Sequence, residues 1–184
     1  PHAVCRYVET TGDTGVLEER AAFIDGRALG PGEESYYDLP ARSDQTATLF
    51  EHCRCAIVHG LRLGAHGLPL IGSGDWNDGM NNVGIDGEGE SVWLAFFLYD
   101  VLLRFAEVSI AHGDADFGKQ CRQHARRLQA SVESQGWDGA WYRRAYFDDG
   151  TPLGSVTSPE CQIDSLPQSW AILSQAGDPD RARQ

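Results

Sequence analysis

Apolar positions along this chain recur with helical spacing in several long runs. Over residues 43–63, Thr46, Leu49, Phe50, Cys53, Ile57 and Leu61 share one face, which predicts an amphipathic helix with Ser43 or Asp44 at its cap. Over 90–112 the stripe of Trp93, Phe96, Phe97, Leu98, Val101, Leu102 and Phe105 is broader, as expected of a helix packed on more than one side. A third helix is predicted over 115–134. A fourth starts near Asp164 and carries Pro167 in its first turn, where the missing amide costs little. Three runs end in Gly-Asp, at 12–13, 113–114 and 177–178. Glycine suits the left-handed cap of one helix, and aspartate accepts from the free amides of the next. The spacing is unequal, so this is shared punctuation and not a sequence repeat.

Two stretches read as long irregular connections: residues 25–42, with Gly26, Gly30, Pro31, Gly32 and Pro40, and residues 64–89. Long loops in a helical scaffold commonly carry function. Residues 137–155 break the helical pattern. They are aromatic-rich and contain Asp149-Gly150, the signature of a tight turn, so a short β-hairpin is expected there. The fold class is therefore mainly α, with paired helices, long loops at one end and one short hairpin.

Composition narrows the function. With 184 residues, 41% of them apolar, the chain can bury the core of one domain. A net charge of −12 with no basic run repels phosphate backbones and anionic lipid, so nucleic acid is not an expected partner. The most apolar run, 92–99, is broken by Asp100 and Arg104 and falls short of the ~20 residues of a membrane span. No signal peptide is recognisable, and no direct membrane contact is expected. Cys5, Cys53, Cys55, Cys121 and Cys161 are odd in number and form no paired CxxC, which predicts neither a disulfide framework nor a zinc site. A reducing, cytoplasmic setting fits that usage. The start at Pro1 and the helix-like start just before Gln184 suggest a fragment.

The chemistry concentrates in Gly74-Asp75-Trp76-Asn77-Asp78-Gly79-Met80-Asn81. As a calcium loop this fails, with Gly79 in the fifth ligand position, Met80 in the sixth and Asp86 in the twelfth. As a phosphate cradle it also fails, because Gly72-Ser73-Gly74 is followed by no lysine. Two readings stay open: a turn whose acids and amides cap local backbone, or a sugar site. Trp76 between polar residues favours the sugar site, since aromatic faces stack on pyranose C–H faces while carboxylates and amides bond the hydroxyls.

That loop, followed by Gly-Glu-Ser-Val-Trp (89–93), resembles the inverting glycoside phosphorylases of the cellobiose and chitobiose phosphorylase family. Glu51-His52-Cys53, Ala65-His66-Gly67-Leu68-Pro69-Leu70 and Cys161-Gln162-Ile163-Asp164-Ser165 are similar to the C-terminal phosphorylase-like region of cyclic β-1,2-glucan synthase. Trp-Asp-Gly-x-Trp-Tyr-x-Arg-Ala-Tyr (137–146) adds to the match, which covers nearly the whole chain. The departures are Asn82 in place of a basic residue, Pro167 in place of a small helix former, and Gln175 in place of glycine.

The resemblance implies that residues 1–184 are part of a single (α/α)6 barrel domain, incomplete at both ends. It implies phosphorolysis of β-glucosidic, β-1,2-glucan bonds to α-glucose 1-phosphate with inversion, and it makes Asp78 the general acid. Phosphate is already an anionic nucleophile, so only the leaving oxygen needs a proton and one catalytic carboxyl suffices. Asp75, Trp76 and Asn77 would shape the sugar site, with Trp141, Arg144, Glu160 and Gln168 as further candidate substrate contacts. No metal or cofactor is implied; inorganic phosphate is the co-substrate. The partners implied are a β-glucan oligosaccharide, phosphate and the remainder of the parent chain, which would supply the phosphate-binding residues and could be anchored in a bacterial inner membrane. The isolated chain is expected to be inactive. A water-using inverting glycosidase and a non-catalytic carbohydrate-binding domain are the alternatives. His52, His59 and His124 fall within helical runs, His112 lies near a helix end, and His66 sits just before the loop.

Overall fold

The computed structural model describes residues 1–28, 30, 33, 38–72 and 79–181. The chain divides into two compact units, 1–59 and 60–184.

In the first unit, α1 (His2–Thr11) closes on Gly12, whose φ of 72° is left-handed and whose amide donates to Val8. Asp13 then accepts from the Gly15 amide at 2.9 Å, so the first Gly-Asp pair acts as expected. Strands β1 (Arg20–Asp25) and β2 (Ala41–Thr48) pair antiparallel, and α2 (Leu49–Gly60) follows directly. The helix expected over 43–63 is thus corrected: its first third is strand. Thr48 Oγ1 accepts from the Glu51 amide at 3.2 Å, and Glu51 Oε2 accepts from the Thr48 amide at 2.9 Å. This reciprocal capping box starts α2 at Leu49, and the amides upstream find partners in β1 instead. Ser43 and Asp44 therefore cap nothing helical; Ser43 Oγ takes the Gln45 amide at 3.2 Å. Strands β1 and β2 take in both ends of the connection expected over 25–42, at Asp25 and Ala41. Cys5, Leu17, Phe50, Cys53 and Ile57 are buried.

In the second unit, α3 (Val92–His112) and α4 (Ala115–Ser131) form a hairpin through Gly113, φ 104°, and Asp114, whose carboxylate accepts from the Phe117 amide at 3.0 Å. The breadth of the α3 stripe is real, with Val92, Ala95, Phe96, Leu102, Phe105 and Ala106 all wholly buried. By contrast, α4 buries one narrow stripe, Phe117, Cys121, Ala125 and Leu128. Gly118 permits close approach to α3, since a Cβ there would stand 2.7 Å from Ile110 Cγ1 and 3.0 Å from Ala106 O. The third helix stops short of 134, giving way to a wider π-helical turn over Val132–Gly136.

The hairpin is present as β4 (Ala145–Tyr146) and β5 (Pro152–Leu153), closed by Gly150 at φ 81° and by Asp149 accepting from the Thr151 amide at 2.8 Å. It does not stand alone. Strand β3 (Glu90–Ser91) pairs with β4, setting Glu90 opposite Tyr146 and Ser91 opposite Ala145. Helix α3 consequently starts two residues later than expected, with Ser91 Oγ accepting from the Leu94 amide at 3.2 Å. In α5 (Ser165–Leu173), Asp164 caps the Leu166 amide at 2.7 Å and Pro167 sits in the first turn, as its sequence predicts. The left-handed residue after α5 is Gln175, φ 60°, and not Gly177. Gly177 answers a packing need, because a Cβ there would stand 2.9 Å from Ala171 Cβ. Asp178 accepts from the Asp180 and Arg181 amides at 2.9 and 3.2 Å. Among the described residues the architecture is mainly helical with two small sheets.

Candidate functional site

Asp75, Trp76, Asn77 and Asp78 lie outside the described residues. Both stems of their loop are described, and the two are laced together. The incoming stem folds on itself through Gly64 N to Leu68 O at 2.9 Å and Leu70 N to Arg62 O at 3.0 Å. It then crosses to the outgoing stem through Ile71 N to Gly89 O at 2.8 Å and Ser91 N to Pro69 O at 2.9 Å. Gly84 permits this contact, since a Cβ there would stand 2.5 Å from Gly72 O, while Gly89 lets the outgoing stem fold on itself, a Cβ there overlapping Val83 O. Beneath the stems, Ile71, Val83 and Ala145 form a buried apolar cluster with Met80, Phe147 and Leu153 packed against it.

The polar counterpart of that cluster is Glu90, only 2% exposed. Its carboxylate accepts from the His66 amide at 3.1 Å, from the Leu68 amide at 2.9 Å and, in a short contact, from His66 Nδ1. Since a carboxylate only accepts, the tautomer with the proton on Nδ1 is assigned to His66 from this network. The imidazole stacks on Tyr146, with ring centroids 3.8 Å apart and planes 10° from parallel. Tyr146 OH in turn donates to Gln135 O at 2.6 Å and accepts from Arg143 Nη1 at 2.7 Å.

Two further acids pin the neighbouring loops. Asp148 accepts from the amides of Asp86, Glu88 and Gly89 at 3.0, 2.8 and 2.8 Å. Burial, its largest single influence, pushes this carboxyl up, but the backbone donors together hold it below the usual carboxylate range. Asp138 is governed the same way: burial raises it, and the Val156 amide, Ser155 Oγ and Arg143 outweigh burial and hold it low. Beside the outgoing stem opens a cleft of about 580 Å³, lined among others by Asn82, Asp86, Glu88, Phe147 and Thr151.

Three of the four described substrate candidates converge on the start of α5 and the segment leading into the hairpin. Trp141 Nε1 donates to Gly154 O at 3.0 Å. Gln168 accepts from the Tyr142 amide at 2.9 Å and donates to Tyr142 O at 2.6 Å and Asp164 O at 2.9 Å. Arg144, 1% exposed, donates from Nη1 to Ser91 Oγ at 3.2 Å, and its Nε lies 3.4 Å from Asp164 Oδ2. Its guanidinium stands 5.9 Å from the Trp93 ring centroid. One buried cation thus joins the caps of α3 and α5. Glu160 is exposed and stands apart from this network.

Sequence reasoning did not single out Glu90, Asp138 or Asp148. Glu90 and Asp138 fall within the Gly-Glu-Ser-Val-Trp and Trp-Asp-Gly-x-Trp-Tyr stretches that carry the resemblance, but a lone acid before a serine cap or in a turn reads as ordinary capping. Among the described residues no group of three or more His, Cys, Asp or Glu side chains could hold a metal ion, and no helix is long and apolar enough to cross a membrane. No disulfide joins any of the five cysteines.

Cyclic beta-(1,2)-glucan synthase NdvB of Rhizobium meliloti (strain 1021) is 45% identical over 98% of this chain and 6% of its own length. Solabiose phosphorylase of Paenibacillus borealis is 34% identical, covering 97% of this chain and 21% of that protein. Cellobionic acid phosphorylase of Neurospora crassa is 32% identical, over 95% and 20% respectively. The chain therefore spans about a fifth or less of the curated relatives it matches. Among solved structures, the GH78 family rhamnosidase of Bacillus sp. GL1 superposes with a TM-score of 0.57 at 18% identity, over 73% of this chain and 14% of that one, a likeness of fold alone. The family model of the glycosyl hydrolase 94 superfamily, catalytic domain, matches residues 3–184, and the chain belongs to that family.

Proposed function

We propose that this chain is part of the barrel-shaped catalytic domain of an enzyme that cleaves β-1,2-glucan bonds with inorganic phosphate, releasing α-glucose 1-phosphate with inversion, and that Asp78 is its general acid. The observation that carries the reading is the Asp-Trp-Asn-Asp-Gly motif of 75–79 on a loop whose two stems are tied at their base by backbone bonds and a buried carboxylate. A proton donor must be held to within a fraction of an ångström of the leaving oxygen, and rigid stems serve that need. The glucan specificity is supported by the 45% identity to a cyclic beta-(1,2)-glucan synthase. Phosphate attacks the anomeric carbon from one face while Asp78 protonates the departing oxygen, so no second catalytic carboxylate is required.

Asp75, Trp76 and Asn77 surround the sugar in this reading. Trp141 and Glu160 are the further candidate sugar contacts in this reading, while Arg144 and Gln168 act through the backbone and caps they hold. The cleft at Asn82, Glu88 and Phe147 has an aromatic ring and hydroxyl-bonding groups suited to a neutral sugar. No cofactor or metal takes part. Phosphate-binding groups come from the remainder of the parent chain, which is anchored at a bacterial inner membrane in this proposal.

The test is product analysis on the full-length parent with β-1,2-glucan oligosaccharides. Glucose 1-phosphate of α configuration should form only when phosphate is added, and Asp78→Asn should abolish it while sugar binding persists. Free glucose released without phosphate would sink the reading in favour of a hydrolase.

A further inference from the structure

We propose that His66 and Glu90 are a positioning pair for the reacting loop, fixing the spacing of its two stems; this rests on the assignment of Asp78 as general acid. The stems meet at three kinds of contact: crossing backbone bonds, the apolar cluster of Ile71, Val83 and Ala145, and the Glu90 carboxylate. The apolar cluster gives cohesion but little directional precision, because apolar packing is non-directional, and the directional backbone bonds join the stems near Pro69, Ile71, Gly89 and Ser91. Glu90 is different. Its carboxylate leaves the outgoing stem and receives two amides and an imidazole nitrogen from the incoming one, three donors converging on two oxygens. A buried carboxylate is tolerated only where its donor set is complete, so stem displacements that break any of these bonds are penalised.

The surroundings are built around that carboxylate. Gly64 leaves it room, since a Cβ there would stand 2.5 Å from Glu90 Cδ and Cγ. The His66 ring lies flat on Tyr146, which pairs across β3 and β4 with Glu90 itself. Incoming stem, outgoing stem and hairpin therefore share one contact point. The imidazole is the removable part of the device: without it, Glu90 still holds the His66 and Leu68 amides, and the apolar cluster is untouched. Removing it should alter placement of the loop, with a loss of stability from the incomplete donor set that a replacement donor restores.

The test compares His66→Leu, which deletes the donor, with His66→Asn, whose amide nitrogen can take the place of Nδ1, in the full-length parent. For phosphorolysis, His66→Leu should lower kcat at least tenfold with KM within threefold of wild type, and His66→Asn should restore kcat to within threefold. Amide exchange gives a readout independent of activity: the Ile71 and Ser91 amides, which cross between the stems, should exchange at least tenfold faster in His66→Leu and near the wild-type rate in His66→Asn. Wild-type kcat in His66→Leu, equal loss in both variants, or unchanged exchange overturns the pair's role. A wild-type parent that makes no glucose 1-phosphate defeats the Asp78 assignment instead, and the exchange comparison still decides whether the pair fixes the stems.

Discussion

Gln168 grips Tyr142 by both backbone groups, accepting from its amide at 2.9 Å and donating to its carbonyl at 2.6 Å. The side-chain amide thus acts as a strand partner for the two Tyr142 backbone groups that its antiparallel bridge to Trp137 does not use. Gln168→Glu keeps the acceptor and loses the donor, leaving the Tyr142 carbonyl facing a carboxylate. We expect a loss of about 1–3 kcal/mol of unfolding free energy, the usual penalty for stranding a buried polar group. Denaturant midpoints of the two proteins check it.

Arg144 sits between the cap serine of α3 and the cap aspartate of α5. Lysine reaches one such partner but cannot present a planar fork to both. Arg144→Lys should therefore destabilise by roughly 1.5–3 kcal/mol, the range for hydrogen bonds to charged groups, with glucan KM in the parent little changed. A raised KM at unchanged melting temperature would assign Arg144 to direct sugar contact instead.

The contrast between elements found and elements missed has a physical basis. Helices α3 and α4 were legible because Trp93 to Phe105 recur with helical spacing and Gly113-Asp114 has the chemistry of a cap followed by a start. Strand β2 was hidden: most of its residues are exposed, so no alternation marks it, and Thr46 falls in step with Leu49, Phe50 and Cys53 beyond it. The Thr48-x-x-Glu51 capping box was the one local sign of the true boundary. Strand β3 has two residues, too few for any period. The Asp75 to Asp78 motif is contiguous and stands out in the sequence, whereas Glu90 meets His66 and Leu68 across more than twenty residues, a relation only folding reveals.

Acid should loosen the loop around 85–89. The Asp148 carboxyl lies below its ordinary value in the folded chain, so its contribution is complete above the unfolded carboxylate pKa of about 3.9 and is lost as pH falls through the lower folded value. Asp148→Asn lacks that titration and offers a single acceptor oxygen to three amides. Melting temperatures from neutral pH to about pH 2.5 should show a lower plateau and a shallower acid decline in the variant. Parallel curves for the two proteins would contradict the assignment.

Gly60 and Gly64, four residues apart, should respond to alanine with opposite signs. Gly60 is the last residue of α2, and a Cβ there meets only Leu98 Cδ1 at 3.9 Å, ordinary contact. Gly60→Ala should stabilise by about 0.4–1 kcal/mol, because alanine narrows the unfolded ensemble and favours helix. At Gly64 the added carbon would stand 2.5 Å from Glu90 Cδ and 2.8 Å from Oε1, inside a buried carboxylate that has nowhere to move without releasing its donors. Gly64→Ala should therefore destabilise by about 1–3 kcal/mol, the range for overpacking a filled site. Neither glycine has a left-handed φ, so backbone strain does not confound the comparison. Paired melting curves decide it: a neutral Gly64→Ala would mean that the Glu90 pocket yields easily and that the stems are not held by it.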